Sequence, residues 1–285
     1  MTAAAEALDF RRILVALDAS KESLAALEAA AGLAAQLDAE LAGLFIEDTD
    51  LLNLAALPFS REAPALSRSG RMLEPERLAR DLKTMAAMAR QALVRTAEAS
   101  HLPWSFRIVR GQIGTELLAA ARDADLIAVG RGTRPLSGQA RLGRHTRSVA
   151  AQTACSMLFA STVSCPSDAP LAAVYDGSTP ARGALALAVR LSERNAKRLL
   201  VFVLGDSPGV FAEHEIAVRE QLRALGVSAA IRRVRGAGLA DIVRALRTEP
   251  VGLLVVGTPA LPVDEGAALD LLVEQSACTV LLVRR

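Results

Sequence analysis

Leu126-Ile127-Ala128-Val129-Gly130-Arg131-Gly132-Thr133 is an apolar run that breaks into glycine and arginine. Four apolar residues closed by glycine suit a strand covered on both faces, as in a parallel sheet. The basic loop continues through Arg134, Gly138 and Arg141 to Gly143, and a helical stretch then reaches about Thr153. A further strand is expected over Ser156–Ala160. Strand, glycine loop and helix in this order aim backbone N–H groups and a helix N-terminus at a phosphate. Such turns are common, and this one gains weight because a trimmed version recurs in the second half of the chain.

Outward from this stretch the same rhythm holds. Ile13 to Leu17 form an apolar run closed by Asp18, and Ser20 stands where a helix N-cap belongs. Leu24, Leu27, Ala31, Ala34 and Leu37 follow near the helical period. Strands are expected at 40–47 and 104–110, and helices at 76–99 and 115–122. Residues 161–169 carry Ser164, Pro166, Ser167 and Asp168, the chemistry of a linker. The pattern then restarts, with strands at 171–175, 199–204, 229–234, 252–256 and 279–283 separated by helical stretches. Val109-Arg110-Gly111 returns as Val234-Arg235-Gly236, and Asp18 as Asp176. Two copies of a strand-helix alternation predict an α/β protein of two doubly wound, five-stranded parallel sheets in tandem. The expected domains are residues 1–162, with an insertion at about 48–80, a linker at 163–169, and a shorter domain at 170–285.

The chain has 285 residues, ample for two cores, and is 52% hydrophobic with 3% aromatic residues. A net charge of +2 is too small to imply nucleic acid, and the arginine-rich loop lacks the interleaved aromatics such a surface would use. Glu6 and Asp9 near the start argue against a signal peptide. No apolar run is long enough to predict a membrane span. Cys155, Cys165 and Cys278 do not make a disulfide framework, so a reducing, cytoplasmic setting is expected. His101, His145 and His214 are scattered without ligand spacing, so no metal site is expected.

At Ile13-Leu14-Val15-Ala16-Leu17-Asp18-Ala19-Ser20 and Val174-Tyr175-Asp176-Gly177-Ser178 the chain resembles the universal stress protein family in its tandem form. That resemblance implies a Rossmann-like fold of the adenine nucleotide α-hydrolase type and a stress-response role. Family members that bind ATP carry Gly-x-x-Gly and, further on, glycine followed by Ser or Thr. In the first half Gly130 and Gly143 fit, whereas Thr133 and Arg144 replace the second glycine and the hydroxyl residue. In the second half Gly257 and Gly266 fit, Ala260 and Ala267 do not, and the loop is shorter. The resemblance therefore implies ATP or another adenine nucleotide, with Mg²⁺, in the first half only. It would place Asp18 and Ile46 near the adenosine, and Gly130, Thr133, Gly143 and Arg144 near the phosphates.

Two further readings stay beside it. Asp18 and Asp176 are also ordinary turn residues, and a protein without nucleotide would serve as an interaction scaffold. Its halves would then mimic the homodimer that family members form through their last strand, as an intramolecular pseudo-dimer. An enzyme is not expected, because no base–nucleophile pair can be assembled. Leu51, Leu52, Leu54, Leu57 and Phe59 of the insertion are read either as a flap over the first cleft, as a partner surface, or as a loop packed on its own domain.

Overall fold

A strand that is apolar throughout needs cover on both faces, and the chain provides it by placing helices between strands. The computed structural model describes residues 9–57, 61–62, 71–72, 74–133, 140–141, 143–163, 165–166, 168–236, 239–257 and 266–284. The first half runs β1 (Arg12–Ala16), α1 (Lys21–Leu37), β2 (Glu40–Asp48) and the short α2 (Thr49–Ala55). Two-residue strands β3 (Arg61–Glu62) and β4 (Arg71–Met72) pair before α3 (Pro75–Ala99). Then come β5 (Trp104–Gly111), α4 (Ile113–Ala121) and β6 (Leu126–Gly130). A small ladder, β7 (Gly132–Thr133) with β8 (Ala140–Arg141), precedes α5 (Arg144–Gln152) and β9 (Ser156–Ala160).

The second half repeats the plan. Its elements are β10 (Leu171–Tyr175), α6 (Thr179–Arg194), β11 (Leu199–Gly205), α7 (Pro208–Ala224), β12 (Ala230–Arg235), α8 (Leu239–Leu246), β13 (Leu253–Gly257), α9 (Gly266–Gln275) and β14 (Thr279–Val283). Each half orders its five strands alike, as β5-β2-β1-β6-β9 and β12-β11-β10-β13-β14, with parallel neighbours throughout. The expected doubly wound α/β architecture is present in both.

One expectation gives way. The two sets of five are not separate sheets; β9 and β14 pair antiparallel and make one ten-stranded sheet. Val280 lies opposite Phe159, Leu281 opposite Leu158 and Leu282 opposite Met157. Both strands are buried along their whole apolar length, and either one left as a free edge would present unpaired backbone groups beside exposed hydrophobics. Pairing removes both edges at once. The outer edge at β12 is kept soluble differently: Arg232 pairs with Glu249 and Arg233 with Glu215.

The sheet separates two cores. One holds Leu27, Ala30, Leu93 and Ala89 from α1 and α3, with Leu185, Ala188 and Val218 from α6 and α7. The other holds Leu117, Val149, Val243 and Leu272 from α4, α5, α8 and α9. Gly43 lets Phe106 and Leu93 pack over β2, since a Cβ there would stand 2.7 Å from the Phe106 ring. Met85 and Met88, by contrast, are not core residues; they stand out at 37% and 55% exposure on α3.

Candidate functional site

The strand order reverses beside β1, so the crossovers to its two sides leave a crevice at the carboxyl ends of β1, β2 and β6. A cavity of about 430 Å³ opens there. Its apolar end is formed by Ala16, Leu44, Ile46, Val129, Ile113 and Leu117. Its polar end is formed by Asp18, Ser20, Glu22, Gly132, His145 and Thr146, with Gly130 between the two.

The turn after β1 is built by local hydrogen bonds. The Ser20 N–H donates to the Asp18 carboxylate at 2.9 Å, and the Ser20 hydroxyl caps α1 by accepting from the Ser23 N–H at 3.1 Å. Ala19 between them adopts φ 61°, in the left-handed region. The second half repeats the device: the Ser178 N–H donates to Asp176, Ser178 caps α6, and Gly177 has φ 82°. Both aspartates thus hold a turn, while Asp18 also stays exposed at the cavity.

The polar end rests on α5. Gly143 is its N-cap and so brings no capping side chain of its own, and no acidic residue occupies its first turn. The first helical bond runs from the Arg147 N–H to the Gly143 carbonyl, so the preceding N–H groups have no acceptor within the helix. A Cβ on Gly143 would meet nothing closer than the Thr146 hydroxyl at 3.9 Å. The protein therefore does not require glycine there for its own packing. With the positive end of the helix dipole, this is a geometry suited to an anion.

Gly130 has another role. A Cβ on it would stand 2.3 Å from the Glu22 carbonyl carbon, so glycine is needed where β6 meets the first turn of α1. Gly257 repeats this, with Pro180 at 2.2 Å. These glycines are close-packing positions in both halves, whatever binds nearby.

Of the predicted site residues, Asp18, Ile46 and Gly130 line the cavity, and Gly143 starts the helix at its polar end. Thr133 belongs to β7, and Arg144 opens α5; their side chains lie outside the described residues, as do Arg134 and Gly138. Gly132 and Thr146 face the cavity without having been singled out. The spacing Gly130-x-Gly132 was the available signal for the first. Leu51, Leu52, Leu54 and Leu57 do not line the cavity; α2 packs on α3 and β5 instead, and Phe59 lies outside the described residues.

Arg131 is the largest departure from expectation. The sequence places it among arginines at the phosphate end, yet it is 3% exposed and turned away. Its Nε donates to the Ala160 carbonyl at 3.1 Å, and its Nη1 to the carbonyls of Val273 and Ser276 at 2.6 and 2.9 Å. Burial lowers its pKa, though guanidinium remains charged. No local signal could reveal this, since Ala160 lies on another strand and Val273 and Ser276 lie in the other half.

In the second half, a histidine packs against the turn that follows β10. His214 of α7 lies 2.8 Å through Nδ1 from the Leu204 carbonyl and packs edge-on to Tyr175, with ring centroids 5.8 Å apart. Its Nε2 would stand 2.4 Å from a Cβ on Gly177. Among the described residues no group of three or more His, Cys, Asp or Glu is placed to hold a metal. No helix among them is long and apolar enough to cross a membrane.

A model of the universal stress protein family matches residues 9–160. No curated protein matches the sequence. Among solved structures, a universal stress protein from Archaeoglobus fulgidus is similar over 96% of this chain and 98% of its own, at 14% identity and a TM-score of 0.73. A functionally unknown protein from Pseudomonas aeruginosa is similar over 96% and 92%, at 17% identity and a TM-score of 0.64. The cytoplasmic domain of a prokaryotic cation chloride cotransporter is similar over 96% and 95%, at 10% identity and a TM-score of 0.58. At such identities these likenesses show the fold.

Proposed function

The chain belongs to the universal stress protein family, and from that premise we propose that it is a stress-response regulator that binds an adenine nucleotide in its first half. The carrying observation is the cavity at the strand reversal, apolar at Ile46, Ile113 and Leu117 and ending on the first turn of α5, whose N-cap is a glycine. The base would lie against the apolar residues Ile46, Ile113 and Leu117, with the ribose toward Asp18. The phosphates would meet the backbone around Gly132 and the N–H groups that follow Gly143. Glycine at 143 supports this, because the fold itself leaves that space open. In the second half the shorter loop, with Ala260 and Ala267 where the motif has glycine and a hydroxyl residue, is the reason for restricting binding to the first.

The β9–β14 pairing supports reading the molecule as a pseudo-dimer. An edge that would otherwise recruit a second chain is consumed within one polypeptide.

Thermal unfolding with ATP, ADP and AMP, with and without Mg²⁺, tests the proposal. Binding to the native state raises stability by about 2.7 kcal/mol at a hundredfold excess over Kd. Gly143→Glu, which sets a carboxylate at the start of α5, should abolish the shift, and Asp176→Ala should not. No stabilisation by any nucleotide at millimolar concentration would overturn the reading in favour of a scaffold.

A further inference from the structure

The second half touches the polar end of the first-half cavity from two sides. Arg131 stands between Gly130 and Gly132, two residues of the cavity wall, and its guanidinium crosses into the second half. There it donates to the carbonyls of Val273 and Ser276, at the C-terminal end of α9. Those carbonyls have no intrahelical donor of their own, so the arginine satisfies them and sits at the negative end of the helix. The body of α9 packs on β8, the returning strand of the same loop.

The second contact runs in the opposite direction. Arg284, which follows β14, donates to the carbonyls of Ala150 and Thr153 at the C-terminal end of α5. Its backbone N–H donates to the Ser156 hydroxyl at 3.2 Å. The N-terminus of that same α5 faces the cavity. Both components of the anion-binding end, the Gly130–Gly132 turn and α5, are therefore each held by an arginine bridge to the other half. The two arginines do not occupy equivalent repeat positions, since the residue matching Arg284 in the first half is Ser161.

We infer that the second half acts as the brace of the first-half site, with Arg131 as a positioning residue through which nucleotide occupancy and the C-terminal turn of α9 are coupled. This rests on the nucleotide reading above. Coupling is reciprocal: if α9 holds the turn in its binding geometry, a nucleotide on the turn must steady α9. The face of α9 is then a place where a bound nucleotide is reported in a half that binds none itself.

The test uses the full chain with ATP and Mg²⁺ as probe, by calorimetric titration and by amide hydrogen exchange. Arg131→Met should weaken ATP binding by about 5- to 150-fold, the usual span of such couplings. Arg194→Ala should leave the affinity unchanged, although it also removes a bridge between the halves, to the Gln36 carbonyl and Asp38. In the unmutated chain, ATP should slow exchange at residues 272–276 more than around Val218 in α7, a response that a purely structural arginine would not produce. This second measurement stands even if Arg131→Met fails to fold. ATP bound by the unmutated chain with no change at 272–276, or bound equally by a folded Arg131→Met, overturns the inference alone. Absence of binding of ATP, ADP and AMP alike by the unmutated chain overturns the nucleotide reading and the inference with it.

Discussion

Gly130 and Glu22 are in backbone contact: a Cβ on the glycine would stand 2.3 Å from both the carbonyl carbon and oxygen of the glutamate. The contact seats the end of β6 against the first turn of α1, and Gly257 against Pro180 does the same in the second half. Gly130→Ala and Gly257→Ala should each destabilise the fold by about 1–3 kcal/mol, the cost of overpacking a rigid neighbour. Urea unfolding would show it. Gly143→Ala, with open space around it, should leave the urea midpoint within about 0.5 kcal/mol of the parent.

The serine caps offer a second check. Ser20→Ala and Ser178→Ala each leave a helix N-terminus without its side-chain acceptor. Each should cost about 1 kcal/mol of stability, read from the same unfolding curves. Replacement by Asp should restore most of the loss.

Ala19 and Gly177 occupy matching turns, with φ of 61° and 82°. An L-residue in that region carries about 1–2 kcal/mol of strain, which glycine lacks. Ala19→Gly should therefore raise stability slightly, less the entropy that glycine adds to the unfolded chain. Gly177→Ala should lower it by more than the strain alone, because the new methyl group also meets His214. Differential scanning calorimetry on the pair would reveal opposite signs.

The thiols should divide by burial. Burial pushes the Cys278 thiol up to about 11, although nearby Arg131 opposes the shift. Cys155 is also buried, with its thiol donating to the Ala124 carbonyl, while Cys165 is partly exposed. At pH 8, Ellman's reagent should modify Cys165 rapidly and the other two only after unfolding. The Cys278 shift also has a sign for stability. Below about pH 9 the thiol is protonated in both states and contributes nothing. Between about pH 9 and 11 the unfolded chain ionises first, so stability should fall as pH rises.

Much of this was legible in the chain as written. The alternation of apolar strands and helices, the restart after the linker, and the Ser20 cap are one-dimensional signals, because period and capping involve residues a few positions apart. Asp18, Ile46 and Gly143 were placed by the family resemblance, and they lie at strand ends or at a helix start beside the cavity.

Arg131, Gly130 and the β9–β14 pairing show what the pattern cannot hold. An arginine between two glycines reads as a phosphate ligand until α9 of the other half is seen to receive it. A strand-end glycine reads as part of a loop until the backbone of Glu22 is found against it. Sequence alone determined that there are two similar five-stranded units, since hydrophobic period is a property of neighbours along the chain. Tertiary structure alone decided which residues join them into one sheet and how they brace one another, since those contacts join residues more than a hundred positions apart, whose meeting depends on how whole layers pack.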